Sequence, residues 1–119
     1  NRTNTPLQAL NLMNDVTFVE ASRKMAEKIM LEGGTTPAER VAYGYRLATS
    51  RTPDARREEI LVKAYRHHLY GYQTNRKAAL SLVTQGESNR NESLELSELA
   101  AYTMVASLVL NLDETITKE

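Results

Sequence analysis

The two histidines of the chain, His67 and His68, are adjacent and are the residues that most readily suggest metal chemistry. Successive residues of a helix point about 100° apart, so the two imidazoles cannot easily share one ion. A zinc site needs three or four ligands, whereas the chain has no cysteine, no third histidine and no carboxylate at a helpful spacing. We predict no metal site, with His68 at the edge of the core and His67 in solvent.

Two adjacent carboxylates, Asp113 and Glu114, follow a long uncharged stretch near the C-terminal end. Paired carboxylates can act as acid and base when their surroundings separate their pKa values. The sequence gives no sign of a cleft around this pair, and we expect one of the two to pair with Arg46 or Arg51. We therefore assign no catalytic residue in this chain.

A basic middle segment and six tyrosines raise the possibility of nucleic-acid binding, because bases stack on aromatic rings beside cations. Residues 37–77 contain nine Lys or Arg and four Asp or Glu, whereas residues 87–119 contain two and seven. The net charge is zero, which counts against a dedicated nucleic-acid binder, and we expect the two halves to pack together. We expect most tyrosine rings in the core. The cations that would serve such a site are Arg40, Arg46, Arg56, Arg57, Lys63 and Arg66.

The absence of cysteine excludes several kinds of site: disulfides, cysteine-ligated zinc, iron–sulfur clusters and haem attached through Cys-x-x-Cys-His. The pair Gly33-Gly34 is isolated and precedes a helix, unlike a phosphate-binding loop, which follows a strand. The longest uncharged stretch, 99–112, is too short to cross a bilayer. We predict no cofactor in this chain and no membrane span.

Each of the three prolines follows a threonine, and this pair is typical of a helix start. Threonine caps free N–H groups, and proline at the first helical position lacks only an N–H that the helix does not use. Gln8 and Glu39 complete capping boxes with the first two pairs. The three pairs are Thr5-Pro6, Thr36-Pro37 and Thr52-Pro53.

The hydrophobic period predicts an all-α fold, and no stretch alternates with the period of a strand. Asn14 or Asp15 caps the second helix, which Gly33-Gly34 ends. We predict a single domain, a helical bundle of five to six helices with a buried C-terminal helix over 99–112 at its centre. The predicted helices cover about 6–13, the stretch from the second cap to 31, 37–49, 53–72, 76–85 and the residues from 97 onward, with a loop at 86–93.

The helix predicted over 53–72 has two distinct faces. Charged residues with spacings of three and four lie opposite the apolar side, where they can form pairs. The predicted charged face consists of Arg56, Glu59, Lys63 and Arg66. The predicted buried stripe consists of Ile60, Leu61, Ala64, Tyr65, His68, Leu69 and Tyr72.

Three stretches of the chain resemble the C-terminal region of the planctomycete cytochrome c-like proteins, a domain of unknown function. They are NRTNTPLQALNLMND followed by FVEA at the N-terminal end, RVAY through RLA to RTP in the middle, and ELAAY with LNLDE near the end. The chain departs from the pattern at Val16, where the family has proline, and at Tyr102, where it has tryptophan.

The resemblance implies that this chain is the C-terminal part of a larger protein, exported to the cell envelope, whose upstream domains often include a c-type haem domain. The haem motif itself is absent here, so haem does not transfer to this chain. The recurring residues have structural interpretations. Thr5, Pro6 and Gln8 form a cap, Arg51 and Pro53 organise a corner between helices, and Asn111, Asp113 and Glu114 end the core helix.

The resulting expectation is a non-catalytic accessory or protein-interaction domain of a larger envelope protein. Its partner is either the upstream domains of the same protein or another protein, and the domain should expose an apolar or charged patch. Two alternatives stay open. One is part of an enzyme site, completed by upstream domains, to which Asp113, Glu114 and an arginine contribute. The other is a weak nucleic-acid-binding module.

Overall fold

Five helices make up the part of the chain that the computed structural model describes, the backbone of residues 13–118 with side chains from 13 to 112. No strand occurs in that range, so the predicted all-α bundle is confirmed. The predicted helix over 6–13, with Thr5, Pro6 and Gln8, lies outside the described residues. The five helices are α1 (Val16–Glu32), α2 (Pro37–Thr49), α3 (Ala55–Thr74), α4 (Arg76–Val83) and α5 (Leu96–Lys118).

Helix α5 is the central element of the bundle and packs against each of the other four helices. Its sequence is apolar on nearly every side, which is the pattern of a helix surrounded by protein. Alanine, with its small side chain, occupies three of its buried positions. The prediction of a buried C-terminal helix is therefore confirmed. Its fully buried apolar residues are Leu99, Ala100, Ala101, Tyr102, Val105, Ala106 and Val109.

The starts of α1 and α2 follow the predicted local chemistry. Asp15 caps α1, and its carboxylate accepts a hydrogen bond of 2.9 Å from the Thr17 N–H. At α2 the Thr36 hydroxyl accepts from the Glu39 N–H at 3.1 Å, while the Glu39 carboxylate accepts from the Thr36 N–H at 3.2 Å. The predicted capping box is confirmed. Gly33 ends α1, as predicted.

The third predicted start, at Thr52-Pro53, is wrong by two residues. Helix α3 begins at Ala55, and its cap is Asp54, whose carboxylate accepts from the Arg57 N–H at 2.8 Å. Asp54 competes successfully because aspartate is among the strongest N-cap residues. Pro53 is buried just before the cap and still precedes the helix.

The corner between α2 and α3 is closed by its own short side chains. Ser50 adopts a left-handed conformation (φ 61°), and its N–H donates to the Arg46 carbonyl at 2.8 Å. The Thr49 hydroxyl donates to the Tyr45 carbonyl and accepts from the Arg51 N–H at 3.1 Å. Arg51 takes part through its backbone, and its side chain is exposed.

The end of the core helix also differs from the prediction. Asn111, Asp113 and Glu114 do not terminate α5, because the helix continues to Lys118. No glycine or proline occurs between 111 and 118, so no strong helix breaker interrupts the segment. Asn111 is buried, whereas the side chains of Asp113 and Glu114 lie outside the described residues.

The direction of the helices follows from two contacts at opposite ends of the bundle. Arg40, near the start of α2, is 3.9 Å from Glu98, near the start of α5. Tyr45, further along α2, lines the same groove as Leu112 of α5. Helices α2 and α5 therefore run in the same direction. Helix α3 runs in the opposite one, because Leu61 near its start lines the groove with Leu112, while Tyr65 further along stacks on Tyr102.

Candidate interaction surface

The most buried charge of the described chain is Arg23 of α1, whose side chain is 1% exposed. Its Nη1 donates to Glu27 at 2.9 Å, and its Nη2 donates to the Ser88 carbonyl at 2.8 Å. Glu20 lies 3.9 Å from the same guanidinium group. The two terminal nitrogens are satisfied in this way, whereas the buried Nε has no partner among the described residues. The hydrogen bonds of the terminal nitrogens fix a loop to a helix, which is a structural role.

The loop between α4 and α5 is held by these carboxylates as well as by the arginine. The Ser88 N–H donates to Glu20 at 2.9 Å, its hydroxyl donates to the same oxygen, and the Asn91 N–H donates to Glu27 at 2.8 Å. Gly86 has φ 97°, and a Cβ there would collide with the Glu20 carboxylate. We call Glu20, Arg23, Glu27 and Ser88 the polar clamp.

The polar clamp should make stability depend on pH at the acid end. The hydrogen bonds from Ser88 lower the pKa of Glu20 from the ordinary 4.5 to about 2. A carboxyl with a depressed folded pKa stabilises the fold above its unfolded pKa, and that contribution is lost as pH falls through the folded value. We therefore expect Glu20→Gln to lower the urea midpoint at neutral pH, with the difference from the parent chain shrinking between about pH 4.5 and pH 2. A constant difference across that window would contradict the assignment.

Sequence reasoning missed Arg23, although a local signal was present. Arg23 stands four residues after Val19 and three before Ala26, both buried, so it occupies the core face of α1. Carboxylates at positions 20 and 27 flank it at spacings of three and four. A charged residue on a core face with two such partners indicates a buried ion pair, but its partners in the loop 65 residues away could not be inferred.

A second cation, Arg40, links the start of α2 to the end of α1. Its Nε donates to the Gly34 carbonyl at 3.0 Å, and its Nη2 donates to the Met30 carbonyl at 3.2 Å. Arg40 thus satisfies carbonyls at a helix C-terminus, where the helix dipole favours a cation. Arg40 also lies 5.7 Å from the centroid of the Tyr102 ring.

The Tyr102 ring stacks on Tyr65, with the ring centroids 4.1 Å apart, and joins α5 to α3. Burial raises the pKa of both phenols, so both stay neutral near pH 7. The prediction that tyrosines serve the core is confirmed for Tyr45, Tyr65 and Tyr102. Tyr70 is the exception, since 71% of it is exposed.

The two histidines lie where the sequence analysis placed them, with His67 exposed and His68 partly buried. Burial lowers the pKa of His68, and the neighbouring His67 adds to the effect. Within residues 13–112, no group of three or more His, Asp or Glu side chains is arranged to hold a metal ion.

One face of α3 is directed outward along most of the helix, and we call it the outer face. At about 100° per residue its members fall within about 80° of one another, opposite Leu61 and Tyr65 in the core. Ile60 belongs to this face and is 53% exposed, so its assignment to the buried stripe was wrong. The reason is angular, because Ile60 points about 100° away from Leu61. The outer face consists of Arg56, Ile60, Lys63, His67 and Tyr70.

The acidic half of the chain does not pair with the cations of the outer face among the described residues. The expectation that the two halves pack together is confirmed, and the pairs Arg40–Glu98 (3.9 Å) and Arg76–Glu95 (3.4 Å) join them. Within the described residues, however, Arg56 and Lys63 of the outer face and the neighbouring Arg66 form no ion pair or side-chain hydrogen bond. The charge segregation therefore persists on the surface of α3.

An apolar groove of about 160 Å³ opens beside the outer face, between the first two turns of α3, Tyr45 of α2 and Leu112 of α5. Ile60 forms part of both the groove and the outer face. Arg57, which lines the groove, donates from Nη1 to the Tyr45 hydroxyl at 3.0 Å. The groove is lined by Tyr45, Arg57, Ile60, Leu61 and Leu112.

Comparison with known proteins adds one finding to this geometry. The model of a family described as PSD1, protein of unknown function (DUF1553), matches residues 1–65, more than half of the 119 residues. The chain belongs to the PSD1 family. In this PSD1 chain the match includes α1, α2 and the first half of α3, and hence Arg56, Ile60 and Lys63. No curated protein and no solved structure matches the chain.

Among the described residues of this PSD1 chain, no helix combines the length and the apolar character that crossing a bilayer requires.

Proposed function

We propose that this domain is a non-catalytic accessory module that docks onto a protein partner through the outer face of α3. The observation that carries the proposal is the composition of that face. It combines exposed Ile60 and Tyr70 with Arg56 and Lys63, which have no ion-pair partner among the described residues. Arginine, tyrosine and exposed aliphatic residues on one surface are typical of protein interfaces.

The internal chemistry of the domain supports the same proposal. Arg23 and Arg40, the cations with the most internal contacts, bind backbone carbonyls, and both act as links between elements. Arg56 and Lys63 make no such internal contacts among the described residues, so they are available to bind a partner. Mixed cationic and apolar surfaces gain affinity from desolvation of the apolar part and orientation from the charges.

We further propose that the parent is a planctomycete cytochrome c-like envelope protein, with this domain at its C-terminal end and its upstream domains as the docking partner. The family match supports the coarser statement that the chain belongs to a family of unknown function. The chain has no cysteine for covalent haem attachment, so a haem of that parent would belong to an upstream domain. Sequencing the complete gene product tests this, and a product without upstream domains would contradict it.

Lysine acetylation measures whether the outer face is covered in the native protein. We expect Lys63 to be acetylated several-fold more slowly in the native protein, isolated from the cells that produce it, than in the chain alone. Lys24 is an exposed lysine on α1 and is the matched control, which should react equally in both. Mass spectrometry of the digested protein gives both rates. Equal reactivity of Lys63 in the two preparations would contradict the proposed function.

A further inference from the structure

We infer that the apolar groove beside the outer face receives one aliphatic side chain of an acidic partner segment. This inference rests on the proposed function and specifies the chemistry of the partner. The occupant is a polypeptide with carboxylates on either side of a single apolar anchor. The groove supplies the anchor site, and the outer face supplies the charges.

The size and lining of the groove determine which kind of side chain of the partner it can hold. Leu61 and Leu112 form its apolar walls, and Ile60 forms an edge that is 53% exposed. Its volume is about 160 Å³. An apolar cavity of about 150 Å³ accommodates a molecule as large as benzene, so this groove has room for one aliphatic side chain and not for a helix face.

The charges around the groove determine which charge the partner should carry on either side of its anchor. Arg57 lines the groove, and Arg56 and Lys63 lie within about one helical turn of Ile60 on the outer face. Among the described residues, the exposed carboxylates nearest to them are Glu59 and Asp54, and Asp54 is engaged as the cap of α3, so the three cations outnumber the exposed carboxylates. Carboxylates on both sides of the anchor would complement this field and align the segment with α3.

The apolar groove favours a polypeptide over a nucleic acid. A nucleic-acid strand brings phosphates and flat bases, and a single aliphatic pocket contributes little to binding either of them. The chain also carries no net charge, whereas a nucleic-acid site usually lies on a basic domain. An apolar side chain, by contrast, gains from transfer out of water into the groove.

Fluorescence anisotropy with the full chain tests the inference. The probe is a short labelled glutamate-rich peptide with one central leucine, and its partner probe has serine in place of the leucine. We expect the leucine peptide to bind at least about tenfold more tightly than the serine peptide, which is the gain that burying one such side chain gives. Ile60→Ser should remove most of this preference, and Lys63→Glu should weaken both peptides.

The control variant is Leu31→Ser. Leu31 is 61% exposed, close to the exposure of Ile60, but lies at the end of α1 and does not line the groove. We expect Leu31→Ser to bind both peptides as the parent chain does. Thermal unfolding verifies that Ile60→Ser, Lys63→Glu and Leu31→Ser are folded.

Three results would overturn the inference. They are equal binding of the two peptides, displacement of the leucine peptide by a single-stranded oligonucleotide of equal charge, and self-association of the chain that Ile60→Ser abolishes. If Lys63 is nevertheless protected in the native protein, the proposed function stands and only this assignment of the partner fails.

Discussion

Replacing Arg23 with methionine should lower the free energy of unfolding by about 3–5 kcal/mol, the range for breaking a buried ion pair by removing one partner. Methionine restores much of the volume but none of the donors. Glu20 and Glu27 then lose their shared cation, and the Ser88 carbonyl loses its hydrogen bond. The loop that joins α4 to α5 would lose much of its attachment to α1. Urea unfolding followed by circular dichroism measures the change.

Lys28→Met on the same helix is the control for the Arg23 variant. Lys28 pairs with Glu32 at 3.4 Å, but both side chains are about half exposed, so water screens the pair. We expect little change in the urea midpoint. Similar losses for the two variants would show that the polar clamp does not hold the loop. If Arg23→Lys loses less free energy of unfolding than Arg23→Met, the difference measures the contribution of the charge. The loss that remains in Arg23→Lys measures the contribution of the forked hydrogen bonds.

Truncating Leu99 to alanine should cost about 2–5 kcal/mol, because the side chain is fully buried at the centre of the bundle. The residue stands near the start of α5, which all four other described helices contact. The cavity left behind cannot be filled easily, since the surrounding helices are held to one another by several contacts. The same urea unfolding experiment measures the loss.

Leu108→Ala is the matched substitution on the same helix. Leu108 is 40% exposed, so its truncation removes less buried surface and leaves no enclosed cavity. We expect a loss well below that of Leu99→Ala. Equal losses would contradict the packing of α5, in which Leu99 is fully buried and Leu108 lies on a partly exposed side.

The features that sequence predicted best are local. The capping box of Thr36 and Glu39, the Asp15 cap and the glycine end of α1 depend on residues within a few positions of one another. The uncharged stretch 99–112 also indicated a buried helix from its own residues, because a helix that is apolar on nearly every side is usually surrounded by protein. The Asp54 cap was missed because two good capping residues stood two positions apart.

The features that sequence could not supply depend on contacts between distant segments. The partners of Arg23 in the loop are 65 and 66 residues away, and the groove needs Tyr45 of α2 and Leu112 of α5 beside the start of α3. Ile60 is an intermediate case. Counting at 100° per residue places it with Arg56 and Lys63, but its hydrophobic character led to its assignment to the core stripe.

Acetylation of Lys63 in an Ile60→Ser variant of the native protein tests the central claim most directly. If the outer face of α3 docks on a partner through Ile60, the variant should raise the Lys63 rate to that of the chain alone, while Lys24 stays unchanged. Leu31→Ser should leave Lys63 protected. A Lys63 rate that is the same in the parent, in Ile60→Ser and in the isolated chain would contradict the claim.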